Sequence, residues 1–175
     1  MKKIVPIAVG LALIAVWLFL LLRHPGPGSR SAQTSAARPL APEFALAGLD
    51  GRNLALSNYR GKIILLDFWA TWCAPCQTEI PLFVEWQKQY GQRGFQVIGI
   101  SMDDGPQPVR AFYREFRIDY PVALGNVKVA EDYGGILGLP VNLLIDREGR
   151  IAVKYAGTTD LPGMEKQIQS LLAEP

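Results

Sequence analysis

Histidine is nearly absent from this chain: of 175 residues one is histidine, His24, and none follows it. A structural zinc site takes about four ligands, commonly cysteine and histidine, so the folded part of the sequence argues against one. Cysteine is almost as scarce, with Cys73 and Cys76 the only two. A structural bridge across so short a loop would gain little from restricting the unfolded chain. No cysteine follows directly on the N-terminal apolar run, which excludes lipid attachment there. Acids are missing from residues 1–38, which hold five basic side chains, leaving 13 basic and 16 acidic groups afterwards. No basic cluster appears after residue 39, so nothing supports a nucleic-acid surface. No internal repeat is present.

What the chain does have begins with Met1-Lys2-Lys3 and then Ile4 to Leu22, nineteen residues without a charge. As a helix this run would be roughly 28 Å long, enough to cross most of a bilayer core. Cleaved signal peptides have a shorter apolar region, about 7–15 residues, closed by small residues; here Leu22 leads into Arg23-His24-Pro25. Residues 1–22 therefore read as an uncleaved transmembrane signal-anchor, with cutting near Ser35-Ala36-Ala37 as the alternative. Lys2 and Lys3 favour a cytoplasmic N-terminus. The expected location is the cytoplasmic membrane, single-pass, with the rest on the extracytoplasmic (periplasmic) side, where disulfides persist. Residues 23–42, rich in Pro, Gly, Ser, Ala and Arg, read as a flexible linker. Residues 43–175 are the right size for one domain with one core.

Within that domain, Phe44–Leu46 and Leu54–Leu56 flank an Asp50-Gly51 turn and predict a hairpin. The apolar run over about 62–69 predicts a central strand. A helical pattern follows over Ala74 to Tyr90, with Pro81 expected to kink it. Strands are expected over Phe95–Ser101, Tyr120–Leu124 and Pro140–Ile145, the last in a hairpin with Ile151–Tyr155. Helices are expected over Pro106–Phe116, Val127–Tyr133 and Leu161–Leu172. This order implies α/β architecture with a central mixed sheet flanked by helices.

Cys73 and Cys76 stand where strand gives way to helix. Side chains three apart in a first helical turn share a face, so their sulfurs can close a small ring. The unpaired N–H groups and positive dipole end there stabilise a thiolate on the first cysteine. The pair reads as a redox device. Pro75 suits the first helical turn. Asp67 lies in the middle of an apolar strand, where a carboxyl is costly unless paired and burial raises its pKa. Glu79, three residues after Cys76, can approach the dithiol or remain a solvated first-turn acid.

Leu65-Leu66-Asp67-Phe68-Trp69-Ala70-Thr71-Trp72-Cys73-Ala74-Pro75-Cys76 resembles the active-site region of thioredoxins. With Glu79-Ile80-Pro81, Gly138-Leu139-Pro140 and Leu144-Ile145-Asp146-Arg147-Glu148-Gly149, the chain over about 40–172 resembles the membrane-anchored TlpA/ResA-type thiol–disulfide oxidoreductases. The resemblance implies a thioredoxin-like fold with an N-terminal β-hairpin and a central αβ insertion. It implies catalysis by Cys73 as exposed attacking thiolate and Cys76 as resolving thiol, with Asp67 the base for Cys76 and Glu79 an acid that tunes the cysteines. Many relatives carry asparagine where Asp67 stands. Trp72, Leu139 and a cis-bonded Pro140 are the implied substrate-binding residues, and Pro75 and Pro81 shape the site. Leu139 departs from the threonine or valine common there.

The implied activity is protein-disulfide reduction by dithiol exchange, with no cofactor beyond the Cys73–Cys76 pair and no metal. Implied partners are disulfide-containing proteins, a membrane electron-transfer protein as reductant, and the membrane through residues 4–22. Relatives serve cytochrome c maturation, although this chain has no haem-attachment C-x-x-C-H. A disulfide-donating oxidase is the rival within the class. A peroxiredoxin-like peroxidase would want threonine where Ala70 stands, and a metal-delivery module would want a downstream histidine.

Overall fold

The computed structural model describes residues 38–174; the anchor expected over 4–22 and the linker up to residue 37 lie outside the described residues. Among the described residues no helix is long and apolar enough to cross a membrane. The chain opens with β1 (Ala45–Ala47) and β2 (Asn53–Ala55), an antiparallel pair across the Asp50-Gly51 turn. It continues with β3 (Ile63–Trp69), α1 (Ala74–Tyr90), β4 (Phe95–Ser101), α2 (Pro106–Glu115) and β5 (Val122–Leu124). Then come α3 (Val127–Asp132), β6 (Val141–Ile145), β7 (Ile151–Ala156) and α4 (Leu161–Ala173). A five-stranded sheet has the order β5-β4-β3-β6-β7. β3–β4 and β4–β5 are parallel, whereas β6 is antiparallel to both β3 and β7. The expected elements are present, and the mixed sheet follows from them.

All seven residues of β3 and of β4 are buried. That is why both read as continuous apolar runs rather than as alternation: a strand covered on both faces has no solvent side. One face, carrying Leu65, Trp69 and Val97, packs on Ile80 and Phe83 of α1, Val109 and Phe112 of α2 and Met164 and Ile168 of α4. A fully buried phenylalanine such as Phe83 is worth about 3–5 kcal/mol against alanine. The other face, with Leu66, Phe68 and Ile98, is covered by Leu46 and Leu54 of the hairpin and Val129 of α3.

The expected kinking proline, Pro81, lies inside α1, which is one continuous 17-residue helix. Pro81 has no N–H to offer, so the Gln77 carbonyl lacks its usual donor. After α1, Gly94 at φ 90° turns the chain into β4, a conformation that favours glycine. The linker needs correcting at its end. Residues 38–42 were expected to be a tether, yet Ala41 is buried, Leu40 bridges to Arg150, and the Ile151 N–H donates to the Pro39 carbonyl at 2.8 Å. Arg38 pairs with Asp146 and Glu174, each at 3.1 Å. The proline and alanine content that reads as linker also suits an extended segment laid beside a hairpin.

Candidate active site

β3 ends at Trp69, and four residues later Cys73 caps α1. The Cys76 N–H donates to Cys73 Sγ at 3.3 Å, so one orphan donor of the helix start is spent on the first sulfur. Pro75 stands in the first turn, where a missing N–H costs nothing. The two cysteines are joined in a disulfide with their Cα atoms 5.3 Å apart. The expected exposure of Cys73 needs correcting: it is 5% exposed against 1% for Cys76. In this oxidised state the capping position and the bond to Cys76 turn the first sulfur inward. The exposed group is Trp72, at 69%.

The loop before Cys73 is held from β4. The Thr71 N–H donates to Asp103 Oδ2 at 3.0 Å and the Thr71 hydroxyl to Oδ1 at 2.6 Å. The Ser101 hydroxyl also donates to Asp103, and the Gln77 side chain donates to the Thr71 carbonyl. Asp103 thus anchors the backbone leading to the disulfide. Across the same end of the sheet, the Leu139–Pro140 peptide is cis. Val141, which follows it, is the register partner of Phe68. Leu139 is half-buried, and Leu137 before it is fully exposed.

Asp67 is 1% exposed, and both carboxyl oxygens lack a hydrogen-bond partner. It shares the β3 face of Leu65 and Trp69, the face on which α1 and Cys76 pack. Its register partners are Gly99 on β4 and Asn142 on β6. A Cβ at position 99 would meet Trp69 Nε1 at 3.0 Å and Val122 at 3.1 Å, so glycine is what lets the sheet pass beside these side chains. Burial first, and then the charge of Glu79, push the Asp67 carboxyl well above the ordinary range. The nearby Tyr120 phenol is also pushed well up, by burial and then by Asp67.

Glu79 is no solvated first-turn acid. It is 4% exposed, with Asn142 Nδ2 donating to Oε2 at 2.8 Å and the Thr159 N–H donating to Oε1 at 3.3 Å. Trp72, the Cys73–Cys76 pair, Asp67, Glu79 and Pro140 thus belong to, or pack beneath, the end of the sheet where β3 stops and β6 starts. Asn142, Thr159, Asp103 and Tyr120 join them unforeseen. Asn142 carried the same signal as Asp67, a polar residue inside an apolar strand; the others have no mark in local sequence. Among the described residues no three of His, Cys, Asp and Glu converge to hold a metal ion. A cavity of about 630 Å³ opens between the hairpin and α2, lined by Leu49, Tyr59, Arg110, Tyr113 and Tyr120 but by neither cysteine.

The Asp67 environment has a consequence for stability. A carboxyl whose folded pKa exceeds its unfolded value of about 3.9 binds its proton more tightly when folded. Its stabilisation is fully present below the unfolded value and is lost as pH rises through the folded one. Asp67→Asn is therefore expected to gain about 1–3 kcal/mol over the wild type at pH 8, the difference shrinking towards pH 4. Urea unfolding at the two pH values checks this, and a difference independent of pH would contradict it.

Residues 38–154 match the AhpC/TSA family. The thiol–disulfide oxidoreductase ResA of Geobacillus thermodenitrificans is 30% identical over 131 residues, covering 75% of this chain and 75% of the relative. Among solved structures, a thiol:disulfide interchange protein of the thioredoxin family from Chlorobium tepidum superposes with a TM-score of 0.72 at 28% identity, covering 78% of this chain and 97% of that one. A thiol–disulfide oxidoreductase from Bacteroides fragilis gives 0.65 at 26% identity, covering 74% and 98%. The disulfide at the start of α1 is the chemistry those names describe. The chain belongs to the AhpC/TSA family and, within it, stands with the ResA-like thiol–disulfide oxidoreductases of thioredoxin fold.

Proposed function

We propose that this protein reduces disulfides of partner proteins by dithiol exchange, working outside the cytoplasm and tethered by residues 4–22. The observation that carries the chemistry is Cys73 at the N-cap of α1, bonded to Cys76 one turn on. In the reduced protein the Cys73 thiolate attacks a substrate disulfide; a mixed disulfide forms and the first substrate sulfur leaves as thiolate. Asp67 takes the proton from Cys76. The Cys76 thiolate then attacks Cys73 Sγ, closes the internal disulfide and expels the second substrate sulfur. The substrate gains two electrons and the dithiol loses two. Trp72 and the Leu139–Pro140 segment receive the partner, and an extended peptide would lie along Leu139 as an added strand. Glu79 tunes the pair. A membrane electron-transfer protein returns the electrons, and apocytochromes awaiting haem are candidate substrates.

The charges around the dithiol bear on its direction. An oxidant needs its thiolate stabilised in the reduced form, whereas Asp67 and Glu79 put two buried carboxyls on the Cys76 side of the helix. The charge of Glu79 opposes the helix-end effect and favours a reductant. The test is a redox titration of the protein against glutathione or dithiothreitol. A potential well below about −200 mV, the poise of oxidising compartments, is expected. A value near about −120 mV would reverse the direction and make the protein a disulfide donor. Uncharged Ile4–Leu22 behind Lys2 and Lys3 supports the tether.

A further inference from the structure

Glu79 is held by partners from β6 and from the segment after β7. Asn142 Nδ2 makes two contacts, donating to Glu79 Oε2 at 2.8 Å and to the Thr159 hydroxyl at 3.4 Å. A carboxylate only accepts, so this pairing fixes which end of the Asn142 amide faces Glu79. The opposite end, Oδ1, is buried without a hydrogen-bond partner, as are both Asp67 oxygens. Asp67 and Asn142 are direct partners across antiparallel β3 and β6, so their side chains share the face beneath α1. One amide therefore stands beside Asp67 and grips Glu79.

Among the described residues no lysine or arginine forms an ion pair with either carboxyl. The groups around Asp67 are Glu79 and the disulfide from α1, Tyr120 ahead of β5, and Asn142 from β6. The negative charge brought closest to Asp67 is thus set by where Glu79 is pinned.

We propose that Asn142 is a positioning residue for the exchange reaction: its amide, together with the Thr159 N–H, pins Glu79 beside Asp67 and so governs how readily Asp67 takes the Cys76 proton. This role rests on Asp67 being that base. With the amide donor present, Glu79 adds repulsion to what burial already imposes, and Asp67 becomes a base late in pH. Without the donor, Glu79 is released, the repulsion relaxes, and Asp67 becomes competent at lower pH.

Leucine has nearly the shape of asparagine and lacks the amide donor, so Asn142→Leu against the wild type isolates the interaction. The readout is the pH dependence of resolution of a mixed disulfide between Cys73 and a chromogenic aryl thiol, followed by release of the thiol. The midpoint for Asn142→Leu is expected about half to one pH unit below that of the wild type. In a Glu79→Gln background the two should coincide. Asn142→Ala, which also lacks the donor, must move the midpoint the same way and stands in if the leucine protein does not fold. Identical midpoints for the wild-type and donorless proteins, with the Asp67→Asn protein having lost its midpoint, would overturn the role of Asn142 and leave Asp67 as base. A midpoint that survives Asp67→Asn overturns the base assignment, and the Asn142 role with it.

Discussion

Cys76→Ala protein is expected to accumulate on its substrates as mixed disulfides, while multiple-turnover reduction falls to background. The reason lies in the capping geometry. Cys73 supplies the sulfur at the helix end, where orphan N–H groups and the dipole favour a thiolate. Cys76 sits one turn on and almost fully buried, so it reaches Cys73 Sγ more readily than any incoming disulfide. Removing Cys76 leaves attack possible and release impossible. Adducts recovered from cells under non-reducing conditions should collapse on dithiothreitol, and Cys73→Ala should give none. Recovery of adducts from Cys73→Ala alone would exchange the roles of the cysteines; recovery from neither would remove dithiol exchange altogether.

Asp67→Asn is expected to slow resolution of the mixed disulfide by about 100-fold or more at neutral pH. The initial attack by Cys73 should change by less than about threefold, because that step needs no proton from Cys76. A base is most useful when its pKa lies near the operating pH. Burial with Glu79 alongside moves Asp67 in that direction from the ordinary carboxylate range. Asparagine keeps the shape and removes the proton acceptor. Stopped-flow measurement separates the two phases, and equal resolution rates would take Asp67 out of the mechanism. Together with the stability gain expected for the same substitution, this makes Asp67 a residue retained at a cost to the fold.

Most of the architecture was legible because its determinants are local. β3 and β4 are uninterrupted apolar runs, α1 begins at a capped Cys-Ala-Pro and ends before Gly94, and Asp50-Gly51 marks its hairpin. Cys73 and Cys76 announced themselves by spacing. The hold on Glu79 did not, since Thr159 lies 80 residues away and meets it only once the sheet and α1 have packed. Asp103 reaches Thr71 across 32 residues for the same reason. Residues 38–42 read as linker because extended backbone beside a hairpin and extended backbone in solvent share a composition.

The ion pairs of Arg38 give the domain a handle with a defined polarity. Arg38 is fastened to Asp146, at the end of β6 where Ile145 pairs with Ile64. The disulfide follows the other end of β3, about 20 Å away for a seven-residue strand. A domain held by its leading end would present its cysteines at the opposite pole, open to arriving partners. A pull on that end would load the Arg38 pairs and the Leu40–Arg150 bridge before reaching the reactive site.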